Sequence, residues 1–415
     1  MAVEIRNYLE GFENRTQALK TVMDLDETVF GEMSHEEDLE SPAYGVVDDD
    51  RTFLAWDGDV AVGMSANFTL DTSTPGGGSL PTAGVTFIGV RPTHRRQGVM
   101  SKMLHNLHAD GITRNEPIAT LWAADPAIYG RFGYGLATQR VSVDIPHQHS
   151  TLVDAPEDPS IRLRLIDVAS DYEFTKPVYD AARRERAGIL AIDKRWHARH
   201  TYDPPHHRDG GTRAHTVLAE DDNGVRGFLR YSLKSAWPNG YGAGTVNVYR
   251  LMSTDPAAHA ALWRYCFAVD LMEKTHWWNV PVDDPVLTWL EHSRQAQFQV
   301  RDAMWLRLLD LPAALSARSY SSDLDITLEV TDRQFEQNAG KWRLSAGPDG
   351  AACERTTTSA DISLDIRSLG AAFLGGTTLV NHARAGWLHE RTPGSVSAAS
   401  AAFRTELAPY CPFVF

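Results

Sequence analysis

The stretch GVTFIGVRPTHRRQGVMSKMLHNL, residues 84–107, leaves the chain few ways to fold. Val85, Phe87, Ile88 and Val90 are β-branched or aromatic and lie among the punctuating glycines Gly84 and Gly89, which predicts a strand. Pro92 ends it. A basic turn, Arg95-Arg96-Gln97-Gly98, then runs straight into a helix whose Val99, Met103, Leu104 and Leu107 share one face. A strand, a basic turn and a helix N-terminus make an anion-binding device. Free backbone N–H groups and the positive end of the helix dipole converge on one spot. The arginines add charge, and Gly98 lets a bulky ligand approach the backbone. The plainer reading is an ordinary strand–turn–helix with a solvated basic turn.

Other features bound what surrounds this device. A chain of 415 residues is too long for one ordinary core, so two or three domains are expected. The net charge of −14 argues against nucleic acid, which wants a basic surface. It suits a cationic substrate, although solubility alone also explains it. Cys266, Cys353 and Cys411 are odd in number and far apart, so they form neither a disulfide framework nor a zinc pattern and fit a reducing compartment. The opening MAVEIRNYLEGFENR has no apolar core of a signal peptide. No apolar run approaches the ~18–20 residues needed to span a bilayer. The sequence therefore reads as soluble and cytoplasmic, with no membrane partner.

Along the chain, residues 2–8 alternate like an edge strand, and 15–40 are helical in pattern, ending in the acidic cluster Glu32, Glu36, Glu37, Asp38 and Glu40. That cluster is either a solvated face or an attractor for an amine. Strands at 52–57 and 60–70 are joined by Gly58-Asp59, and TSTPGGGSLP at 72–81 is a loop. After the stretch at 84–107 come a strand at 116–122, a short helix near 126–130 and a strand at 134–145. HQHSTLVDAPEDPS at 147–160 has loop composition and marks a boundary; His147 and His149 lack further ligands at metal spacing. From 161 the plan repeats: a strand, a helical region at 170–200, a hairpin around Asp222-Asn223-Gly224, a strand at 245–253 and a helix at 256–272. This second junction has no Arg-x-x-Gly. Asp255 stands where the anion would bind, reads as an N-cap, and would repel a pyrophosphate. The histidines His197, His200, His206 and His207 read as residents of exposed loop surroundings, not as a metal site. Near 300 the character changes again, with strands at 325–332 and 341–346, a strand running into a helix at 361–376, a helix at 394–405 and the ending PYCPFVF.

The motif V-x-P-x-x-R-R-x-G-V resembles the acyl-CoA loop of GNAT N-acetyltransferases, Arg/Gln-x-x-Gly-x-Gly/Ala, with Arg95, Gly98 and Met100 at those positions. Met100 departs from the usual small residue. Ile128-Tyr-Gly-Arg-Phe-Gly-Tyr134 and the aromatic terminus Phe415 sharpen the match to the Eis (enhanced intracellular survival) family of actinobacterial acetyltransferases. That resemblance implies an α/β (α+β) chain of two tandem GNAT-like domains followed by a sterol-carrier-protein-like domain. The expected bounds are 1–148 with the acetyl-CoA site, 149–300 without one, and 301–415 supplying the C-terminal carboxylate.

Acetyl transfer from a thioester to an amine sets four requirements. Strand backbone at Ile88, Gly89 and Val90 can hold the pantetheine arm, and Arg95, Arg96, Gln97, Gly98, Val99, Met100 and Ser101 can hold the pyrophosphate. The resemblance adds Ala124 and Asp125 to this site. An ammonium titrates well above neutrality, so a base is needed. The resemblance assigns it to the α-carboxylate of Phe415; read without it, PFVF is an apolar strand filling a core. Strand N–H groups near Val90 can stabilise the developing oxyanion. The leaving thiolate needs a proton, and the resemblance gives that role to Tyr129, with Tyr134 as competitor; a phenol and an alkyl thiol are taken as close enough in acidity. Glu32 and Glu36 are candidates for gathering a polycation, with Phe87 and Trp56 as aromatic walls. Where the family often carries an acid before the terminal Phe, this chain has Val414. The expected activity is acetyl-CoA-dependent N-acetylation of cationic amines such as aminoglycosides, at several positions, without a metal. Protein lysine or polyamine acetylation and a non-catalytic ligand or lipid carrier are the alternatives. The family resemblance also implies a homo-oligomer, a hexamer.

Overall fold

The computed structural model describes residues 3–31 and 33–415; Glu32 lies outside the described residues. In chain order the strands are β1 (Glu4–Asn7), β2 (Thr52–Asp57), β3 (Val60–Ser73), β4 (Ser79–Val90), β5 (Ile118–Trp122), β6 (Gly135–Leu136), β7 (Gln139–Pro146), β8 (Arg162–Ile166), β9 (His215–Asp221) and β10 (Gly224–Lys234). They continue as β11 (Gly244–Ser253), β12 (Met272–Pro281), β13 (Gln299–Asp302), β14 (Met304–Leu308), β15 (Leu324–Thr331), β16 (Gly340–Gly347), β17 (Gly350–Arg355), β18 (Ile362–Asp365) and β19 (Leu388–Glu390). The helices used below are α1 (Arg15–Phe30), α2 (Val99–Thr113), α3 (Pro126–Tyr129), α4 (Tyr172–Glu185), α5 (Lys194–Thr201) and α6 (Pro256–Phe267).

Two compact units result. The first comprises residues up to Thr138, Ala303–Glu406 and Val414–Phe415; the second comprises Gln139–Asp302 and Leu407–Phe413. The first unit holds a sheet in the order β1-β2-β3-β4-β5-β14-β6 and a smaller one, β17-β16-β15-β18-β19. The second unit holds β13-β7-β12-β11-β10-β9-β8.

Several expectations change here. The run 134–145 is not one strand. It divides at Ala137-Thr138, whose backbone N–H groups both donate to the Met304 carbonyl, while Thr138 Oγ1 accepts from Met304 N at 2.9 Å. β6 stays in the first unit's sheet and β7 joins the second unit's. The place between β5 and β6 is filled by β14, which pairs antiparallel with β5 from Met304↔Trp122 to Leu308↔Ile118. The helical pattern at 15–40 stops at Phe30, because Gly31 turns left-handed at φ +74° and its N–H closes on Glu27 O. Glu36–Asp38 is a single 3₁₀ turn. Residues 170–200 divide into α4 and α5. The hairpin at Gly58 and the one before Gly224 form as expected.

Packing between sheet and helix positions the site. The α2 residues Leu104 and Leu107 bury against Ala83, Val85 and Leu121 of β4 and β5, together with Tyr129, Phe132 and Tyr134. A buried charge network stands beside them. The Arg51 guanidinium, fully buried, donates to both Glu116 oxygens at 2.7 and 2.6 Å and pairs with Asp110 at 2.7 Å. Removing either sign would strand a buried charge, which costs roughly 3–5 kcal/mol.

Candidate acyl-transfer site

The site begins with an irregularity in β4. Against β3, Gly89 pairs with Met64 but Thr86 pairs with Ala66, so β4 carries one extra residue. The bulge holds Phe87 at φ +50°, a region that costs a non-glycine residue about 1–3 kcal/mol. Its ring is fixed by stacking on Tyr44 (6.4 Å, 4°) and by an edge contact with Phe68 (6.1 Å). On its other side β4 pairs with β5 only from Thr82↔Ile118 to Gly84↔Thr120. Beyond Gly84 the pairing of the two parallel strands stops, and among the described residues no strand pairs with Ile88–Val90 on that side. A linear amide-bearing arm can lie there as an added strand.

At the end of β4 the chain passes Arg96, at φ +63°, and Gly98, at φ +81°, before entering α2. Gly98 is the N-cap and brings no side-chain cap, so the N–H groups of Val99, Met100 and Ser101 are open to an anion. Arg95, Arg96, Gln97 and Ser101 are exposed. Neither Arg95 nor Arg96 forms an ion pair among the described residues. Gln97 donates to Thr93 O at 3.2 Å, which steadies the turn. Ala124 and Asp125 stand exposed just past β5, and the Asp125 carboxylate is engaged as the N-cap of α3, accepting from Ala127 N at 3.0 Å.

Two tyrosines compete for the donor role, and their surroundings separate them. Tyr134 is fully buried, and its hydroxyl is tied to His108 Nε2 at 2.9 Å. Tyr129 is 6% exposed, with its ring edge-on to Tyr134 at 5.9 Å. No side chain among the described residues hydrogen-bonds its hydroxyl. Burial, aided by the Asp125 charge, pushes the Tyr129 phenol up to about 12. The expected match in acidity with a thiol therefore fails. Against an ordinary thiol near ~8.5 the gap is about 3 units, or roughly 4–5 kcal/mol against full proton transfer. Tyr129 fits a hydrogen-bond donor to a developing thiolate better than an acid that parts with its proton early.

The last residue reaches this strand. Phe415 is 6% exposed, and Thr86 Oγ1 on β4 donates to its terminal oxygen at 3.3 Å. Phe415 is thus buried beside the bulge, with its backbone oxygen at Thr86, two positions before Ile88. Thr86 was not singled out in the sequence, and neither was the bulge. Thr-Phe-Ile-Gly reads as unbroken strand, and a left-handed phenylalanine leaves no compositional mark.

The other candidates have partners of their own. Trp56 packs against Phe12 at 6.1 Å with Arg6 over its ring, at the edge where β1 meets β2. The exposed Glu36 carboxylate is paired with Lys20, which holds it below its usual range and cancels its charge.

The chain was compared with known proteins. Residues 14–137 and 188–308 each match a family described as an acetyltransferase (GNAT) domain, and 311–412 match a sterol carrier protein domain. An uncharacterized N-acetyltransferase of Streptomyces avermitilis is 38% identical over 88% of this chain and 90% of its own. N-acetyltransferase Eis of Mycobacterium tuberculosis is 30% identical over 86% of this chain and 87% of its own. The chain belongs to the Eis family of N-acetyltransferases. Eis1 from Mycobacterium abscessus superposes with a TM-score of 0.82 at 28% identity, with both chains covered in full. A GCN5-related N-acetyltransferase from Anabaena variabilis reaches 0.85 at 18% identity, which shows the shared fold. The Eis-family architecture of two GNAT domains and a sterol-carrier-type domain is therefore that of this protein, and an N-acetyltransferase activity displaces the passive-carrier reading. Among the described residues no helix is long and apolar enough to cross a membrane.

Proposed function

We propose that the protein moves the acetyl group of acetyl-CoA onto amines of cationic small molecules, aminoglycosides among them, at more than one position. Acetyl-CoA supplies the activated thioester. The observation that carries this reading is the Thr86 bond to Phe415, which brings an acceptor to the strand that borders the open gap. Ile88, Gly89 and Val90 orient the pantetheine arm, and the Arg95–Ser101 turn holds the pyrophosphate. An α-carboxyl ordinarily titrates near ~3.5, far below an ammonium, so the Phe415 carboxylate serves as an acceptor that orients the amine and receives its proton as the C–N bond forms and the nitrogen turns acidic. Tyr129 donates its O–H toward the departing sulfur. Phe87 presents a ring at the mouth of the gap, suited to a sugar face or an alkyl amine. With Glu36 paired and Val414 in place of an acid, fewer carboxylates await the substrate than the −14 charge suggests, which keeps lysine peptides and polyamines as competing substrates.

The test is coenzyme A release from acetyl-CoA with a panel of aminoglycosides, polyamines and lysine peptides. Turnover with aminoglycosides supports the reading; turnover confined to lysine peptides replaces the substrate class. We also read the enzyme as a cytoplasmic homo-oligomer, a hexamer, which light scattering on the purified protein checks.

A further inference from the structure

A second cationic feature lies in the first unit, beyond the turn that follows Tyr129. A cavity of about 220 Å³ is lined by Arg131, Arg333, Arg367 and Gln334, with Asp332 and Asp365 at its wall. The charges do not cancel. Both Asp332 oxygens are taken by the buried Arg307 guanidinium, at 2.9 and 2.7 Å. Asp365 Oδ1 accepts from the backbone N–H of Arg367 at 3.0 Å and lies 3.9 Å from its Nε. Arg131 and Arg333 form no ion pair among the described residues. Arg131 lies over the Phe132 ring at 5.1 Å, and Arg367 over Trp387 at 4.5 Å. Ring stacking occupies guanidinium faces and leaves the N–H edges for a ligand. Arg367 Nε is buried with no hydrogen-bond partner among the described residues. Three guanidiniums against one carboxylate still facing the cavity leave a surplus near two. A phosphate monoester carries about −1.5 to −2 at pH 7.

Its place in the fold suggests which phosphate. Gln334 also lines a neighbouring cavity with Ser101, Lys102 and His105 of α2, and Ser101 belongs to the pyrophosphate turn. The cationic cavity and that turn thus flank one exposed face of α2. Coenzyme A bears a third phosphate, on the 3′-oxygen of the ribose attached to its pyrophosphate.

The geometry points to Arg131, Arg333 and Arg367 as the site for the ribose 3′-phosphate of coenzyme A. This rests on the acetyl-CoA reading given above. The arginines recognise the cofactor and take no part in the chemical step, so their effect falls on KM. The experiment compares acetyl-CoA with acetyl-3′-dephospho-CoA at saturating amine, in the wild-type chain and in Arg131→Gln/Arg333→Gln. Wild type is expected to show at least a tenfold higher KM for the dephospho form with kcat within twofold. The double variant is expected to lose this preference by raising only the KM for acetyl-CoA. Inorganic phosphate should compete with the dephospho substrate less than with acetyl-CoA, since only the latter needs the cavity. Equal KM values in wild type with turnover intact overturn the proposal and leave the acetyltransferase reading standing. A preference that survives in the variant, or phosphate binding lost in the variant without any preference in wild type, also overturns it, the latter by assigning the cavity to a separate phosphorylated ligand. No turnover with either thioester removes both readings.

Discussion

At the end of β4 the chain enters α2 through Gly98, and at the end of β11 it enters α6 through Asp255. The first junction leaves the helix N–H groups bare. The second closes them: Asp255 Oδ1 accepts from Ala257 N and Ala258 N at 3.0 Å each, and Arg226 donates to both oxygens of that carboxylate. The adjoining gaps differ in the same sense. β11 and β12 pair in parallel only as far as Val248↔Trp277 and then part, as β4 and β5 do. Here the parting is filled from within the second unit by residues 407–413. Tyr410 O–H donates to Asn279 O at 2.7 Å, Asn279 Nδ2 donates to Cys411 O at 3.1 Å, and the Phe413 ring lies under Arg250. One architecture gives an open gap, proposed above as the cofactor slot, where a glycine caps the helix and no segment among the described residues bridges the parted strands. It gives a structural joint where an aspartate caps the helix and the tail plugs the gap.

The contrast can be broken most severely at the terminus. Adding residues after Phe415 moves the carboxylate away from Thr86 and should lower kcat by about 10²–10⁴, the usual worth of a positioned base, with the melting temperature unchanged; full activity in a C-terminally extended chain removes the base assignment. Tyr129→Phe should cost about 10–100-fold in kcat at constant acetyl-CoA KM. Since burial raises that phenol to about 12, no alkaline loss of kcat below about pH 11 should trace to it, and a limb near 9 that disappears in the variant would contradict the structure. Gly98→Asp gives the first junction the cap of the second. It should raise the acetyl-CoA KM about tenfold by repelling the pyrophosphate, and an unchanged KM would show that the open helix end is not the cradle.

Smaller effects concern stability. Each unit buries a neutral histidine, His108 in the first and His200 in the second, both held well below their usual range chiefly by burial, with arginines nearby adding to it. The unfolded chain takes up protons near ~6.5 and the folded chain does not, so stability is retained above that pH and falls as the solution is acidified. Each site should cost up to about 1.4 kcal/mol per pH unit below ~6.5. Denaturant titrations at pH 7 and 5.5 would show it, and a His200→Gln chain that keeps the full slope would exclude that residue. The reverse swap, Asp255→Gly, should cost only a few tenths of a kcal/mol for the lost cap, since glycine is itself a fair N-cap, and create no acetyl-CoA binding by calorimetry, because the tail still occupies the gap.

Much of this contrast was legible beforehand. Arg95–Gly98 and Asp255 are local signals, since a residue's role at a helix start depends on its own neighbours. The exchange of β7 and β14 was not legible. Val141, Val143 and Ile145 alternate as they would in either sheet, and alternation shows that one face is buried without naming the partner strand. Gly31 ended α1 before the acidic cluster, where only Met33 and Leu39 are apolar among residues 32–40. Tyr129 could be marked, but its acidity could not, because burial is a property of the whole core. The pairing of Glu36 with Lys20 joins residues 16 apart and depends on the turn after Gly31.

The place of β14 in the first sheet also has a bearing on synthesis. β5 pairs with β4 from the earlier part of the chain, but gains its second neighbour only when residues 304–308 have been made. A nascent chain therefore cannot complete the first sheet before residues 304–308 have been made.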